Sequence, residues 1–202
     1  MTPKSLKDHL IARGYQVSVF GNACDAASYL CTAIRNTTVG IGGSVTIRDM
    51  GLYEGLSKSN RVVWHWYPQE GRTTEEMLQA AADTAVYLSS VNALSMQGEI
   101  VNIDGTGNRV ASIFYGHKKV YLIVGENKLA ANLTEAIHRA RNVAAPKNAL
   151  RLNCHTPCAI HGGDRCYDCQ GPNRICRGVQ ILLQAPTGAE YEVVLIGESL
   201  GY

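Results

Sequence analysis

The sequence predicts an α/β fold, a largely parallel sheet with helices on both faces. Helix and strand signals alternate along nearly all of its 202 residues, the order that builds parallel strands joined by crossover helices. Two strand segments, Thr38–Ile41 and Lys119–Val124, are apolar almost throughout, as strands covered on both faces are. Glycine-rich turns at strand ends are the third observation, because ligands in such sheets bind beyond the carboxyl ends of the strands. A hydrophobic content of 46% is ordinary for a globular chain, so residues 1–202 are expected to form one domain.

Each element follows from a local signal. Thr2 caps a first helix with Pro3 at its first position; Leu6, Leu10 and Ile11 form its apolar stripe and Gly14 ends it. Tyr15–Phe20 is a short strand and Asp25–Arg35 a second helix. Thr38–Ile41 runs into Gly40, Gly42, Gly43 and Ser44, a strand, a glycine turn and a helix cap. Ser44–Lys58 forms two short helices broken at Gly51, and Arg61–Tyr67 an apolar strand. Within that strand His65 faces away from Trp64 and Trp66 by alternation, as a structural histidine. Thr73 and Glu76 make a capping box for a helix carrying Met77, Ala81 and Leu88. Asn92–Gln97 and Glu99–Ile103 are antiparallel strands around Gly98. Asp104–Arg109 then opens a helix through Tyr115, with His117 in the turn that follows. After the Lys119 strand, Asn127–Ala144 forms a long helix with basic residues towards its C-terminus, stopped by Pro146. Val179–Gln184 and Tyr191–Ile196, about Pro186–Gly188, form a terminal hairpin.

Charge and composition narrow the function. A net charge of +2, mixed signs and 7% aromatic residues leave no basic stripe for nucleic acid. No apolar run approaches the roughly 20 residues of a membrane helix, and the N-terminus lacks a secretory apolar region. The protein is therefore expected to be cytoplasmic, without nucleic-acid or membrane partners. Seven cysteines in a reducing compartment point to metal binding rather than a disulfide framework. Cys24 and Cys31 stand apart, as buried small hydrophobes. Open sheet edges and a modest core point to a homo-oligomer.

The other five cysteines fall in Cys154–Cys176, NCHTPCAIHGGDRCYDCQGPNRIC from Asn153, a 154–176 insertion with few apolar residues. The Cys-x-x-Cys pair Cys166 and Cys169 lets two thiolates converge across a tight turn, and two further cysteines complete a tetrahedral zinc site or hold an iron–sulfur cluster of the 4Fe-4S type. The longer intervals tilt the reading towards the cluster, with zinc as the alternative. A redox disulfide and substitute ligation by His155 or His161 remain open.

Two loops offer a site for a small anion. Gly40–Ser44 (GIGGS) and Gly105–Arg109 (GTGNR) each join a strand to a helix start, where backbone N–H groups face an anion. Neither is a Walker or a dinucleotide-binding sequence. Glu99 and Asp104 are the candidates for acid–base catalysis, with Arg109 orienting an oxyanion or carboxylate. Asp104 also fits a turn-forming role ahead of Gly105.

Five segments carry a family resemblance: GIGGSVTIRDMGL at Gly40–Leu52, SSVNALSMQGEIVNIDGTGNRVA at Ser89–Ala111, KKVYLIVG at Lys118–Gly125, RNVAAPKNALRL at Arg141–Leu152 and TPCAIHGGDRCYDCQGPNRIC at Thr156–Cys176. In this order they resemble the LUD-domain family of lactate utilisation proteins, in its short form with a C-terminal cysteine-rich motif. The resemblance implies a fold similar to the NagB, RpiA and coenzyme A transferase-like class. It implies an anionic-substrate site walled by Gly40, Gly42, Gly43 and Ser44 on one side and Asn102, Asp104, Gly105, Thr106, Gly107 and Asn108 on the other. The family's cysteine pattern falls on Cys158, Cys166, Cys169 and Cys176, leaving Cys154 as an extra thiol. A component of a lactate or small hydroxy-acid oxidation system, working beside iron–sulfur oxidoreductase partner subunits, is the function the resemblance implies. An isomerase- or transferase-like enzyme on a phosphorylated sugar or thioester, with a structural metal knuckle, is the alternative; a non-catalytic ligand-binding subunit is a third.

Overall fold

Residues 4–202 are described by a computed structural model of the chain, so the Thr2 cap and Pro3 lie outside the described residues. The first helix is α1 (Lys4–Ala12), followed by β1 (Gln16–Phe20), α2 (Ala23–Ala33), β2 (Thr38–Ile41), α3 (Val45–Asp49), α4 (Leu52–Ser57), β3 (Arg61–Val63), α5 (Thr74–Ala82) and β4 (Val86–Ser90). Next come β5 (Ala93–Ser95), β6 (Ile100–Asp104), α6 (Asn108–Phe114), β7 (Lys119–Gly125), a 3-10 turn (Glu126–Lys128) and β8 (Leu129–Ala130). The chain continues through α7 (Leu133–Arg139), a π turn (Ala140–Ala144), α8 (Ala145–Arg151), α9 (Pro157–Ile160), β9 (Gly178–Leu182) and β10 (Glu190–Ile196).

Six strands, all paired in parallel, form the main sheet in the order β1-β10-β7-β4-β2-β3. Period-2 alternation in β7 feeds two cores. Val120, Leu122 and Val124 pack with Leu6, Leu10 and Ile113 on one face, while Tyr121 and Ile123 pack with Leu30, Ile47, Leu56 and Trp64 on the other. A four-stranded sheet, β8-β5-β6-β9, joins β5 and β6 antiparallel across the Gly98 turn. Small residues of α7 and the π turn, Ala136 and Ala140, cover it against Ala93 and Val101. Among the described residues no helix is long and apolar enough to cross a membrane.

Several local expectations hold. The Thr73–Glu76 capping box forms with both reciprocal bonds, at 3.2 and 2.8 Å, and Gly51 separates α3 from α4 in a left-handed conformation. Others need correction. The terminal hairpin does not exist: β9 pairs antiparallel with β6, while β10 enters the main sheet between β1 and β7. Six of the seven β10 residues are buried, which suits a central strand and not an exposed ribbon. Pro146 does not stop the long helix, which starts at Leu133 and continues to Arg151. The π turn opens the ladder just where a proline has no N–H to give. Strand β3 ends at Val63, and Tyr67 N bonds back to Trp64 O in a turn, so alternation does not apply to His65. Cys24 is exposed and Cys31 half-buried.

Candidate functional site

A cleft of about 500 Å³ opens at the carboxyl ends of β2, β3, β4 and β7. It lies where the chain order reverses, since β3 sits beyond β2 on one side and β4 on the other, the switch point at which doubly wound sheets bind ligands. Gly43 and Ser44 after β2, His65 and Trp66 after β3, Ser90–Asn92 after β4 and Lys128 after β7 line it, with the loop from Asp104 to Arg109 opposite.

Lys128 is the group that sequence reasoning missed. Its side chain is buried, and its Nζ donates to Ser90 Oγ at 2.6 Å and Thr46 Oγ1 at 2.9 Å. Both hydroxyls spend their own protons on backbone carbonyls, Ser90 on Ile123 O and Thr46 on Leu200 O. None of the ion pairs among the described residues includes it. Burial, with the charges of Arg139 and Arg109 adding to it, pulls its pKa down to about 7. One signal was available: a lone lysine directly downstream of the most buried strand must stand at its carboxyl end. His65 also lines the cleft, with a buried Nδ1 that has no partner among the described residues. Burial lowers its pKa.

The predicted residues divide. Asp104, Gly105, Thr106, Asn108, Arg109, Gly43 and Ser44 reach the cleft wall. Arg109 has no free donor for a substrate: Nη1 bonds Ser90 O and Asn102 Oδ1, Nη2 bonds Asn92 Oδ1 and Ile103 O, and Nε lies 3.4 Å from Asp104 Oδ2. Its position is a fixed buried charge, not a hand that closes on an oxyanion. Asp104 accepts from Gly107 N at 2.7 Å, the turn-forming role. Asn102 is buried behind the wall as an acceptor for Arg109. Ser44 caps α3 through Ile47 N. Gly40 and Gly42 serve packing: a side chain at Gly40 would strike the Ala81 carbonyl, and one at Gly42 would meet Tyr87 Oη at 2.8 Å. Gly107 starts α6 at φ 93°. Glu99 is not among the residues lining the cleft; Arg13 at 2.5 Å and Ser95 hold it beside the Gly98 turn. His117 is buried, bonded to Thr84 O and stacked on Tyr87.

Cys158, Cys166, Cys169 and Cys176 line one small cavity of about 20 Å³, together with Arg141 and Ile175. All are free thiols, and Cys154 is not among the lining residues. Asp168 N donates to Cys166 Sγ at 3.3 Å, and Arg141 Nη2 lies 3.9 Å from the same sulfur. His161 is exposed and stacks on Tyr167. Among the described residues no group of three or more His, Cys, Asp or Glu side chains is drawn together as metal ligands. Ala145, Ile175 and Cys176 border both this cavity and the cleft.

Three comparisons place the chain among known proteins. No curated protein matches it. A DUF162 family protein from Deinococcus radiodurans, known from a crystal structure, is similar at a TM-score of 0.55 with 12% identity, over 96% of this chain and 94% of that one; the likeness is one of fold. Ribose 5-phosphate isomerase from Plasmodium falciparum (15% identity, 54% and 52% of the two chains, TM-score 0.35) and ribose 5-phosphate isomerase A from Neisseria gonorrhoeae (16%, 55% and 54%, 0.34) are likenesses too partial to carry a fold or an activity. The model of the LUD domain matches residues 4–196. The chain belongs to the LUD-domain family.

Proposed function

We propose that the protein is a redox component of a system that oxidises lactate or another small 2-hydroxy acid, with the acid in the cleft and an iron–sulfur cluster on Cys158, Cys166, Cys169 and Cys176. The observation that carries the reading is the shared wall: Cys176 borders both the cleft and the cysteine cavity. The cleft also has the charge for a carboxylate, four arginines (Arg109, Arg151, Arg174 and Arg177) against the single carboxylate side chain of Asp104.

The cluster is preferred to a single zinc on the long intervals between the cysteines. Zinc needs its sulfurs about 2.3 Å from one point; the four thiols line one small cavity. A cluster spreads its thiolates over several irons. The space now has room for about one water, so loading has to widen it, and the largely exposed segment 161–173 is the part able to yield. When bound, such a cluster supplies one-electron transfer at the edge of the cleft. Oxidation of a hydroxy acid to an oxo acid releases two electrons and two protons, so an iron–sulfur oxidoreductase partner takes the electrons onward. The chain's own part is to hold the carboxylate among the rim arginines and to keep the reacting carbon beside Lys128 and His65. Arg151 is stacked over Trp66 at 5.0 Å and lines the same cleft.

Protein purified without oxygen tests this. A brown protein with iron and acid-labile sulfide that bleaches on reduction, and that binds lactate or pyruvate in calorimetry, is the expected result. Cys169→Ser should lose the iron while Asp104→Asn keeps it. Colourless protein with one zinc would sink the electron-transfer reading and move the search to phosphorylated sugars and thioesters. A cluster without lactate or pyruvate binding would sink the choice of substrate.

A further inference from the structure

We propose that Lys128 is a nucleophilic amine that condenses with the carbonyl of a 2-oxo acid in the cleft to form an imine. The inference rests on reading the cleft as a site for small carboxylic acids and makes no use of the cysteine cavity.

The hydroxyl partners fix the polarity of the amine. Ser90 Oγ donates to Ile123 O and Thr46 Oγ1 to Leu200 O, so each can only accept from Nζ. Two N–H bonds are thereby committed, and the fourth tetrahedral position holds either the third proton or the lone pair. A structural buried lysine is ordinarily neutralised by a carboxylate. Here every charged group turned towards Nζ is of the same sign or already matched. Arg139 is anchored on Asn127 O and Asn92 O, and Arg109 lies beside Asp104. Glu126, on the same turn as Lys128, is exposed. From α3 and β4 the only partners are the two hydroxyls, and from the C-terminal segment it is the backbone at Gly201 that packs nearby. With a pKa near 7, Lys128 offers on the order of a thousandfold more free amine at neutral pH than an ordinary lysine.

The step balances without an oxidant. The Nζ lone pair bonds to the carbonyl carbon, and the carbonyl π pair moves to oxygen, which takes a proton. The resulting carbinolamine loses water, giving the imine: amine plus oxo acid yields imine plus water. Arg174 and Arg177 at the rim provide for the carboxylate of the acid.

The test is reductive trapping. Full-length protein is incubated with pyruvate, treated with sodium borohydride, digested and read by mass spectrometry, with pyruvate binding measured in parallel by calorimetry. The expected result is a Lys128 peptide heavier by the mass of pyruvate less one oxygen atom. Its labelling should exceed that of the exposed Lys58 and Lys147 by about tenfold or more and rise between about pH 6 and pH 8. Lys128→Arg should lose the adduct with its circular dichroism intact; should that variant not fold, the site-by-site labelling of the wild-type protein decides alone. Pyruvate binding with Lys128 labelled no more than Lys58 would overturn the imine and leave the cleft reading standing. Neither binding nor labelling would overturn both.

Discussion

Replacing Lys128 by methionine removes one buried amine from a site that cannot neutralise it, and the size of the effect follows from its environment. In the unfolded chain the amine titrates at the ordinary 10.5, and in the folded protein at about 7. Below pH 7 both states carry the charge, and the folded one bears the full penalty, about 5 kcal/mol, since each tenfold loss of proton affinity is worth about 1.36 kcal/mol. Between pH 7 and 10.5 the unfolded chain binds the proton and the folded protein does not, so stability rises with pH. From about pH 6 to about pH 9 the wild type should gain about 2–3 kcal/mol relative to the variant, which has nothing to titrate at this position. Methionine fits the volume, and the Ser90 and Thr46 hydroxyls keep their carbonyl acceptors, so the substitution strands no buried donor. Lys128→Met should therefore be the more stable protein at pH 6, with the margin shrinking as pH rises. Urea unfolding of both proteins at the two pH values measures it, and all other titrating groups cancel in the comparison. Stability curves that run parallel from pH 6 to 9 would refute the claim that burial holds this amine deprotonated.

Four further outcomes follow from the packing of the site and its surroundings. Gly105→Ala puts a methyl 2.5 Å from the Ile175 carbonyl oxygen, and should cost about 1–3 kcal/mol and lower the iron bound per chain. Gly107→Ala meets no neighbour and, strained only at its own φ of 93°, should leave iron loading unchanged. Asn102→Leu takes an acceptor from the buried Arg109 guanidinium and from Asn92 N; a loss of about 2–4 kcal/mol in urea unfolding is expected. Glu99→Gln disturbs the partly buried pair with Arg13 and the bond from Ser95 Oγ, at about 1 kcal/mol for the pair, and calorimetry should find pyruvate binding unaltered.

The fold was legible wherever the signal was local. Apolar runs such as Val120–Val124 announce strands buried on both faces, and the Thr73–Glu76 pair announces a helix start, because each depends on neighbours a few residues away. The partnership of β10 was not legible. Its alternation suits a hairpin as well as a central strand, and only the space between β1 and β7 decides. The passage through Pro146 failed for the same reason, since the π turn is stabilised by what Ala140 and Ala144 pack against. At the site, glycine and Asx chemistry led to the loop from Asp104 to Arg109 and to Gly43 and Ser44. Lys128 stayed hidden because its chemistry comes from Thr46 and Ser90, 82 and 38 residues away in the chain. Arg109 is the opposite case: in the sequence an arginine beside a glycine loop looks available, and in the fold five acceptors surround it.

The cysteine segment stands beside the cleft because of register and not by accident of loop length. Strand β9 pairs with β6 so that Gly178 lies opposite Asp104, and Arg177 N bonds Asp104 O at 2.9 Å. Cys176 is thereby carried to within two residues of the strand end from which the loop Asp104–Arg109 begins. Gly105, with no side chain to hold Ile175 off, lets the two backbones approach closely. On the far side, Arg141 and Arg174 both reach Asp168, between Cys166 and Cys169, and Arg174 also donates to Cys169 O and Cys176 O. A chain of contacts therefore runs from the cysteine segment to the wall that Asp104 and Arg109 build, and from Arg109 through Ser90 to Lys128. Ala145, Ile175 and Cys176 thus border both cavities, the adjacency that the proposed pairing of a ligand site with a redox centre would use.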